Sequence, residues 1–592
     1  MTFTMEEGGF GVGDYVAFGV LCAASCAGGM WYSAVGSRAK AVVDIKDYLL
    51  GGRAMSTFPV AMSLIASYVS GVTILGTPAE IYNYGTQYWL VVVGVTLSCI
   101  VVATVYLPVF CTLRLSSSYE YLELRFNRHV RAVASVLFLL DEVSDTQTIL
   151  PLFTVTGLNV FAVGGAMVLI CGVYTVLGGL RAVVWTDSVQ TGIMFIGVVL
   201  VASAGTLAVG GVKSVISIAN ESGRLDLSNW SFSPYERQTG WGALVGGFLY
   251  WTCFNSVNQT MVQRYIALPS KRQAIIALGI FCVGAILAIS LCVWCGLAAW
   301  ATWVLGGCHP GGVPLVNDRL LPAFVTYVAK IQHLPGLAGV FLAGVFGAGL
   351  SSLSAVLNAC ALVAVEDILH GWLRLRLKPL TEGLLARSVT ALLAIISIVM
   401  LVVIAKLGGV LGVATALSAI AASATCGVFT LGMACWWVGP RGAIFGAIAG
   451  ALVAGTTSLG TQAAAASGLR APPLNLTAEC AANSTFNFQS VDPETIFPLF
   501  RVSYHWIAPL GLFSTLLVGA IVGYFFDKHD SSKMDAELFT PVVWRWLPAD
   551  SHEMAGETRR IMAAKAVDSP APSAPLILNR INKVTFYLFI YN

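Results

Sequence analysis

Thirteen stretches of this chain are apolar enough and long enough to cross a lipid bilayer, and that repetition decides the fold class before any motif is read. They lie near 15–33, 56–78, 88–110, 132–152, 158–180, 187–209, 240–260, 274–304, 333–365, 387–408, 411–437, 441–460 and 504–526. About 20 apolar residues span the hydrocarbon core as a helix, and backbone facing lipid must satisfy its own hydrogen bonds. Only 11% of the 592 residues are charged, where a soluble domain carries about 25%. The expected fold is an all-α polytopic membrane protein of about 13 transmembrane helices.

Basic residues set the orientation. Arg38, Lys40, Lys46 and Arg53 follow the first apolar run, which places that loop in the cytoplasm and residues 1–14 outside. The first run has no basic residue before it, so it reads as a retained helix rather than a cleaved signal. With thirteen crossings, the basic clusters at Arg114–Arg131, Arg264–Arg272 and Arg374–Arg387, Arg441, and the tail 527–592 all fall in the cytoplasm. The loops 210–239, 305–332 and 461–503 then face outward. Sequons at Asn475 and Asn483 mark 461–503 as a glycosylated loop. Cys308 and Cys480 lie in two exterior loops and are a candidate disulfide. The transporter domain occupies 15–526.

Composition narrows the function. Net charge is +3 with no basic, aromatic-interleaved patch, so nucleic acid is not an expected partner; the bilayer is. Of the 14 cysteines most lie in apolar runs, and Cys292 and Cys295 read as helical spacing rather than a redox pair. The seven histidines show no ligand spacing, and no Walker loop, G-x-S-x-G or H-E-x-x-H occurs. The chain is therefore read as neither an enzyme nor an ATP-driven pump, and no organic cofactor is expected.

Three apolar stretches carry polar residues at membrane depth. The first, Ser63–Gly85, holds Ser67, Tyr68, Ser70, Gly71 and Thr73, and Pro78 is expected to close it. Such a stretch is either a broken helix whose freed carbonyls bind a cation or substrate, or a small-residue packing face. The second, Gly240–Gln263, is interrupted by glycines and ends in Asn255, Asn258 and Gln259; broken helices at corresponding places in two halves indicate an inverted-repeat transporter. The third, Gly344–Ala359, carries Ser351, Ser352 and Ser354, whose hydroxyls suit a dehydrated Na+ or a helix contact. Asp187 stands at the mouth of a span, as a functional acid or a helix cap. Glu366-Asp367 closes the serine-bearing helix and is expected to face solvent. Gly442, Gly446 and Gly450 repeat every four residues as a packing face.

One span is anomalous. Residues 132–157 place Asp141, Glu142 and Asp145 where a helix should cross. Each acid costs about 2.5–3.5 kcal/mol near the bilayer centre. The stretch reads as an altered segment in preference to an ion pathway.

Together these residues resemble the sodium/solute symporters, which carry sugars, iodide, monocarboxylates and vitamins. The likeness covers about 15–526. It rests on Asp47-Tyr-Leu-Leu-Gly-Gly-Arg53, on SLIASYVSGVTILGTPAEIYNYG from Ser63, on Leu177-Gly-Gly-Leu-Arg-Ala-Val-Val-Trp-Thr-Asp187, on Asn258-Gln-Thr-Met-Val-Gln-Arg264 and on Leu350-Ser-Ser-Leu-Ser-Ala-Val-Leu-Asn358. The version LGTPAEIYNYG is similar to the monocarboxylate, multivitamin and iodide branch. The resemblance implies a five-plus-five inverted-repeat core with broken first helices, of leucine-transporter type. It implies a sodium site from the carbonyls of Ala66 and Val69 and the hydroxyls of Ser351 and Ser352, with Asp187 linked to cation coupling. It places substrate near Tyr68, Thr73 and Trp251, with Phe254 as an inner gate. The chain departs from the family at Asp141–Thr148 and in its apolar end, YLFIYN. The implied function is Na+-coupled import of small organic anions, monocarboxylates or vitamins such as biotin and pantothenate, across the plasma membrane. The alternatives are an iodide or choline carrier, or an inactive variant of the same family.

Overall fold

The described residues form helices joined by turns and loops, with no strand among them, so most backbone groups are satisfied within their own helix. The computed structural model describes residues 11–37, 45–145, 160–306, 320–375, 377–407, 410–469, 471, 474, 491–527, 534–548, 551, 556, 558 and 560. In chain order the principal helices are α1 (Val12–Ser37), α2 (Thr57–Tyr68), α3 (Gly71–Tyr84), α4 (Val91–Val101), α5 (Arg128–Asp145), α6 (Val160–Ala208) and α7 (Gly247–Val257). They continue with α8 (Gln259–Ile266), α9 (Lys271–Leu305), α10 (Leu337–Leu362), α11 (Pro379–Leu407), α12 (Val410–Ala434), α13 (Pro440–Ala466) and α14 (Ile507–Phe526). Among the described residues eight helices are long and apolar enough to cross a membrane, or nine with the bent pair α2–α3 taken as one span.

The helices sort by what they face. Leu392, Ile395 and Val399 of α11 recur at helical spacing and stay exposed, as do Val283 and Leu287 of α9; these are the faces a bilayer would cover. The serine-bearing α10 is the opposite case, buried along almost its whole length against α1, α2, α6 and α11. It is the central post of the molecule. Glycines let neighbours approach it and each other: a Cβ at Gly446 of α13 would stand 2.6 Å from the Thr515 carbonyl of α14, so the four-residue glycine repeat is a packing face.

Several expectations need correction. Spans expected at 158–180 and 187–209 join in α6 across a kink at Gly179, whose φ of 57° and ψ of −154° suit glycine. Asp187 is therefore two turns inside a helix and fully buried, neither at a mouth nor a cap. Pro78 does not close the first stretch. It sits within α3, which runs on to Tyr84, and Gly296 of α9 packs against the Pro78 carbonyl. The second break falls at Asn258 rather than at the glycines, which pack instead against Val91 and His505. The expected exterior loops 210–239 and 305–332 contain helices Val212–Glu221 and Leu320–Ile331.

Asp367 does not face solvent. It is fully buried and accepts hydrogen bonds from Ser117 Oγ at 2.5 Å and Arg131 Nε at 2.7 Å. Arg131 also reaches Glu123 at 2.7 Å, so one guanidinium ties the start of α5 to the end of the central helix. In the anomalous span, α5 stays helical to Asp145 and turns Asp141 and Glu142 toward protein rather than lipid. Asn475, Asn483, Cys308 and Cys480 lie outside the described residues.

Candidate cation and substrate site

The first break is two residues long. α2 ends at Tyr68 and α3 begins at Gly71, at 55° to it, with Val69 (φ −87°, ψ 83°) and Ser70 (φ −81°, ψ 172°) non-helical between them. The geometry redirects backbone bonds. The Ser70 N–H, which in a continuous helix would reach the Ala66 carbonyl, donates to the Tyr68 carbonyl at 3.2 Å. The Ala66 carbonyl is left to accept from Ser351 Oγ of α10, also at 3.2 Å. No described backbone N–H reaches the Val69 carbonyl. A buried carbonyl without a partner costs about 1–3 kcal/mol, so a break of this kind needs a ligand or a facing hydroxyl.

Ser351 and Ser352 are brought to that break, though not equally. Both hydroxyls reach the Ala348 carbonyl, Ser351 Oγ at 2.9 Å and Ser352 Oγ at 3.0 Å; Ser351, fully buried, also lies 3.2 Å from the Ala66 carbonyl. Carbonyl and hydroxyl oxygens are hard and neutral, the donor type that an alkali cation takes. Among the described residues no group of three or more His, Cys, Asp or Glu side chains stands in metal-binding proximity.

Asp187 lies beside these serines on a single polar seam. Its Oδ1 accepts from Ser354 Oγ at 3.3 Å, and its Oδ2 from Ser63 Oγ at 2.5 Å and from Arg264 Nη2 at 3.3 Å. Arg264 Nε in turn donates to Ser63 Oγ at 2.7 Å. The seam therefore joins α2, α6, α8 and α10, one member from each. Ser63, Ser354 and Arg264 were not foreseen as partners of Asp187. Their side chains come from elements 77 to 167 residues distant, which no spacing reports. The only trace in the sequence is that each falls within a stretch singled out on other grounds.

The aromatic residues gather on the other side of the break. Tyr68 and Trp251 have ring centroids 4.2 Å apart, Phe281 stands edge-on to Tyr68 at 5.4 Å, and Phe254 edge-on to Trp251 at 5.9 Å. The Tyr68 hydroxyl is buried, with no hydrogen-bond partner among the described residues. Thr73 Oγ1 reaches the Tyr68 carbonyl at 3.5 Å, which keeps it at the break. Tyr68, Thr73, Trp251 and Phe254 are thus brought together, with Phe281 as an unforeseen member. Arg264, the cation of this region, is turned to the seam and Asp187.

A buried acid–arginine pair stands beside freed carbonyls at a helix break, in a protein whose many long apolar helices place it among multi-pass membrane proteins. The relatives agree. A sequence model of the sodium:solute symporter family matches residues 48–450, and the chain belongs to that family. Human sodium-coupled monocarboxylate transporter 1 is 33% identical over 541 residues, 87% of this chain and 87% of that protein. Cattle sodium-coupled monocarboxylate transporter 2 is 32% identical over 550 residues, 91% and 88% of the two chains. The human sodium/iodide cotransporter is 35% identical over 378 residues, 63% of this chain and 58% of its own. Among solved structures, a substrate-bound, outward-open Na+-coupled sialic acid symporter superposes with a TM-score of 0.71 at 21% identity, covering 88% of this chain and 99% of its own. That likeness is one of fold. The chain is a Na+-coupled solute symporter of the multi-pass membrane type, and its chemistry is transport rather than catalysis.

Proposed function

We propose that this symporter imports small organic anions, monocarboxylates first, across the plasma membrane, with Na+ held at the first break. The observation that carries the reading is the Ala66 carbonyl presented to Ser351 Oγ at 3.2 Å, one turn from Asp187's partner Ser354. The carbonyls of Ala66 and Val69 and the hydroxyls of Ser351 and Ser352 are the proposed ligands, with Asp187 supplying charge from the seam. A Na+ at this place replaces the Ser351–Ala66 hydrogen bond with two coordinating oxygens and pins α2 to α10.

The aromatic cluster is the proposed substrate floor. The first-turn N–H groups of α3 (Gly71, Val72 and Thr73) point toward the break, and a helix N-terminus there favours an anion. A carboxylate at that N-terminus, with an apolar chain against Tyr68, Trp251 and Phe281, fits a short monocarboxylate. The names of the monocarboxylate relatives support that class. Biotin and pantothenate carry the same carboxylate on a longer body, and iodide or choline is the alternative.

The wider architecture follows the same reading. Thirteen crossings, an exterior N-terminus, a cytoplasmic tail and glycans on Asn475 and Asn483 are proposed from apolar length, charge and sequon placement, and a five-plus-five inverted repeat from the family resemblance. One Na+ moving inward gains about 2.3 kcal/mol per 100 mV. That corresponds to about 1.7 powers of ten in accumulation for each net positive charge moved with the substrate.

Uptake of labelled short monocarboxylates, biotin, pantothenate, iodide and choline into cells expressing the full chain, with Na+ present or replaced, is the test. Uptake of a monocarboxylate that collapses on Na+ replacement is expected. Na+-dependent uptake of iodide alone would replace the organic-anion reading.

A further inference from the structure

The face of α9 that a bilayer would cover is grooved rather than flat. A space of about 520 Å³ lies between α9, α2 and α6, walled by Ile276, Val283 and Leu287 of α9, by Met62 and Ile65 of α2 and by Phe195 of α6. Every residue that lines it is apolar or glycine. Its two glycines do different things. At Gly284 the missing side chain admits Ile65, since a Cβ there would collide with Ile65 Cδ1. At Gly279 a Cβ would meet nothing within 4 Å, so that glycine serves no close packing contact and leaves the groove open. Val283 is 66% exposed beside it. The volume is that of a small-molecule pocket, but in a membrane this one opens to hydrocarbon instead of water.

Charge marks one end of the groove. Arg272 stands one helical turn before Ile276, and Gly279, Val283 and Leu287 follow Ile276 at three- and four-residue intervals, so all five share one stripe of α9. Lys271 is next to it, and both basic side chains are exposed. They occupy the first turn of α9, where the helix dipole disfavours cations, and that turn holds no acidic residue. Neither forms an ion pair with a described residue. Two such charges at the end of an apolar groove match a ligand that is anionic at its head and apolar along its length. In the proposed orientation this end is cytoplasmic, and the cytoplasmic leaflet is the one that carries anionic lipid.

The groove is also built on the helix that carries the first break. The Ile65 carbonyl accepts the Val69 N–H at 2.8 Å, the last helical bond of α2, and Ala66 follows directly. The Met62 carbonyl accepts from Thr191 Oγ1 of α6 at 3.1 Å. A chain seated against Met62 and Ile65 therefore braces the last turn of α2 from the lipid side. We propose that this groove binds an anionic glycerophospholipid of the cytoplasmic leaflet, with an acyl chain along α9 against α2 and the phosphate at Lys271 and Arg272, and that the bound lipid steadies α2 below the first break. The binding stands apart from the Na+-symport reading; its effect on transport rests on that reading.

The test is melting of the purified full chain in neutral detergent with rising dioleoylphosphatidylglycerol against dioleoylphosphatidylcholine. Stabilisation by phosphatidylglycerol well beyond that by phosphatidylcholine is expected. Lys271→Gln and Arg272→Gln are each expected to raise the half-stabilising phosphatidylglycerol about fivefold, the effect of one basic residue. Gly279→Leu fills the groove where no neighbour stands; it is expected to abolish the lipid effect while the lipid-free melting temperature stays within about 2 °C. Equal stabilisation by the two lipids means ordinary bilayer lipid only and overturns the proposal. So does loss on neutralising the basic pair without loss in Gly279→Leu, which is surface charge alone. Stabilisation by cholesteryl hemisuccinate that exceeds that of phosphatidylglycerol and is lost in Gly279→Leu gives the groove to a sterol and overturns it as well. If Gly279→Leu does not express, Gly279→Ala is expected to raise the half-stabilising lipid about threefold, and no shift overturns the proposal. A second arm measures Na+-driven uptake in phosphatidylcholine vesicles with and without one-fifth phosphatidylglycerol. The anionic lipid is expected to lower the half-activating external Na+ about threefold more in wild type than in Gly279→Leu, which experiences the same surface potential; an equal effect in both overturns the bracing of α2. If uptake ignores Na+, the symport reading falls, and the melting arm still decides the lipid site.

Discussion

Three donors converge on the Asp187 carboxylate, and one of them is a guanidinium with no exposure of its own. Asp187→Asn therefore leaves the Arg264 charge buried without its counterion, a loss of about 3–5 kcal/mol. The expected outcome is a lowered melting temperature of the purified protein together with lost uptake; a variant that melts like wild type would show that Arg264 finds compensation elsewhere. Asp367→Asn makes the same prediction for Arg131, with Glu123 as remaining partner softening the effect. These two acids show what single residues reveal in a sequence. Asp187 was legible because an acid inside a span is an anomaly. Its partners were not, because Ser63 and Arg264 meet it across 124 and 77 residues. Asp367 was misread as solvent-facing because its place at a helix end looks like a solvated terminus, and only Arg131 folding back over it makes it interior.

At the scale of elements, breaks rather than helices do the positioning. The first break was legible in its cluster of hydroxyls and glycines, and its true limits, Val69 and Ser70, follow from where backbone bonds are redirected. Pro78 misled because a proline within a membrane helix is tolerated when neighbours satisfy the freed backbone. The second break was placed too early: its glycines serve close helix contact, and Asn258 makes the turn, capping α8 through the Thr260 N–H. Asn258→Ala removes that cap, worth about 1 kcal/mol, and also the Glu142 hydrogen bond. Slower uptake with a modest loss of thermal stability is expected, and unchanged uptake would argue against a hinge there. Gly179→Ala tests the kink of α6. Its positive φ costs a side chain about 1–2 kcal/mol, and a Cβ would run into the Tyr48 carbonyl, so reduced surface expression and a lower melting temperature are expected.

For the whole molecule, apolar length and charge sufficed to read an all-helical membrane fold, since a bilayer leaves few alternatives. They did not reveal that α6 is one kinked element, or that the anomalous acids face protein, because hydropathy carries no information on which neighbour a face meets. In the proposed transport cycle, α2, α6 and α10 hold Na+ between them. The most direct test of that claim is the dependence of uptake on external Na+ in Ser351→Ala and Ser352→Ala against wild type. Removing one proposed coordinating hydroxyl is expected to raise the half-activating Na+ by about tenfold in Ser351→Ala, whose hydroxyl lies 3.2 Å from the Ala66 carbonyl, and by less in Ser352→Ala, whose hydroxyl reaches Ala348 alone. Half-activating Na+ unchanged in both variants would contradict the account and leave the serine pair as helix packing.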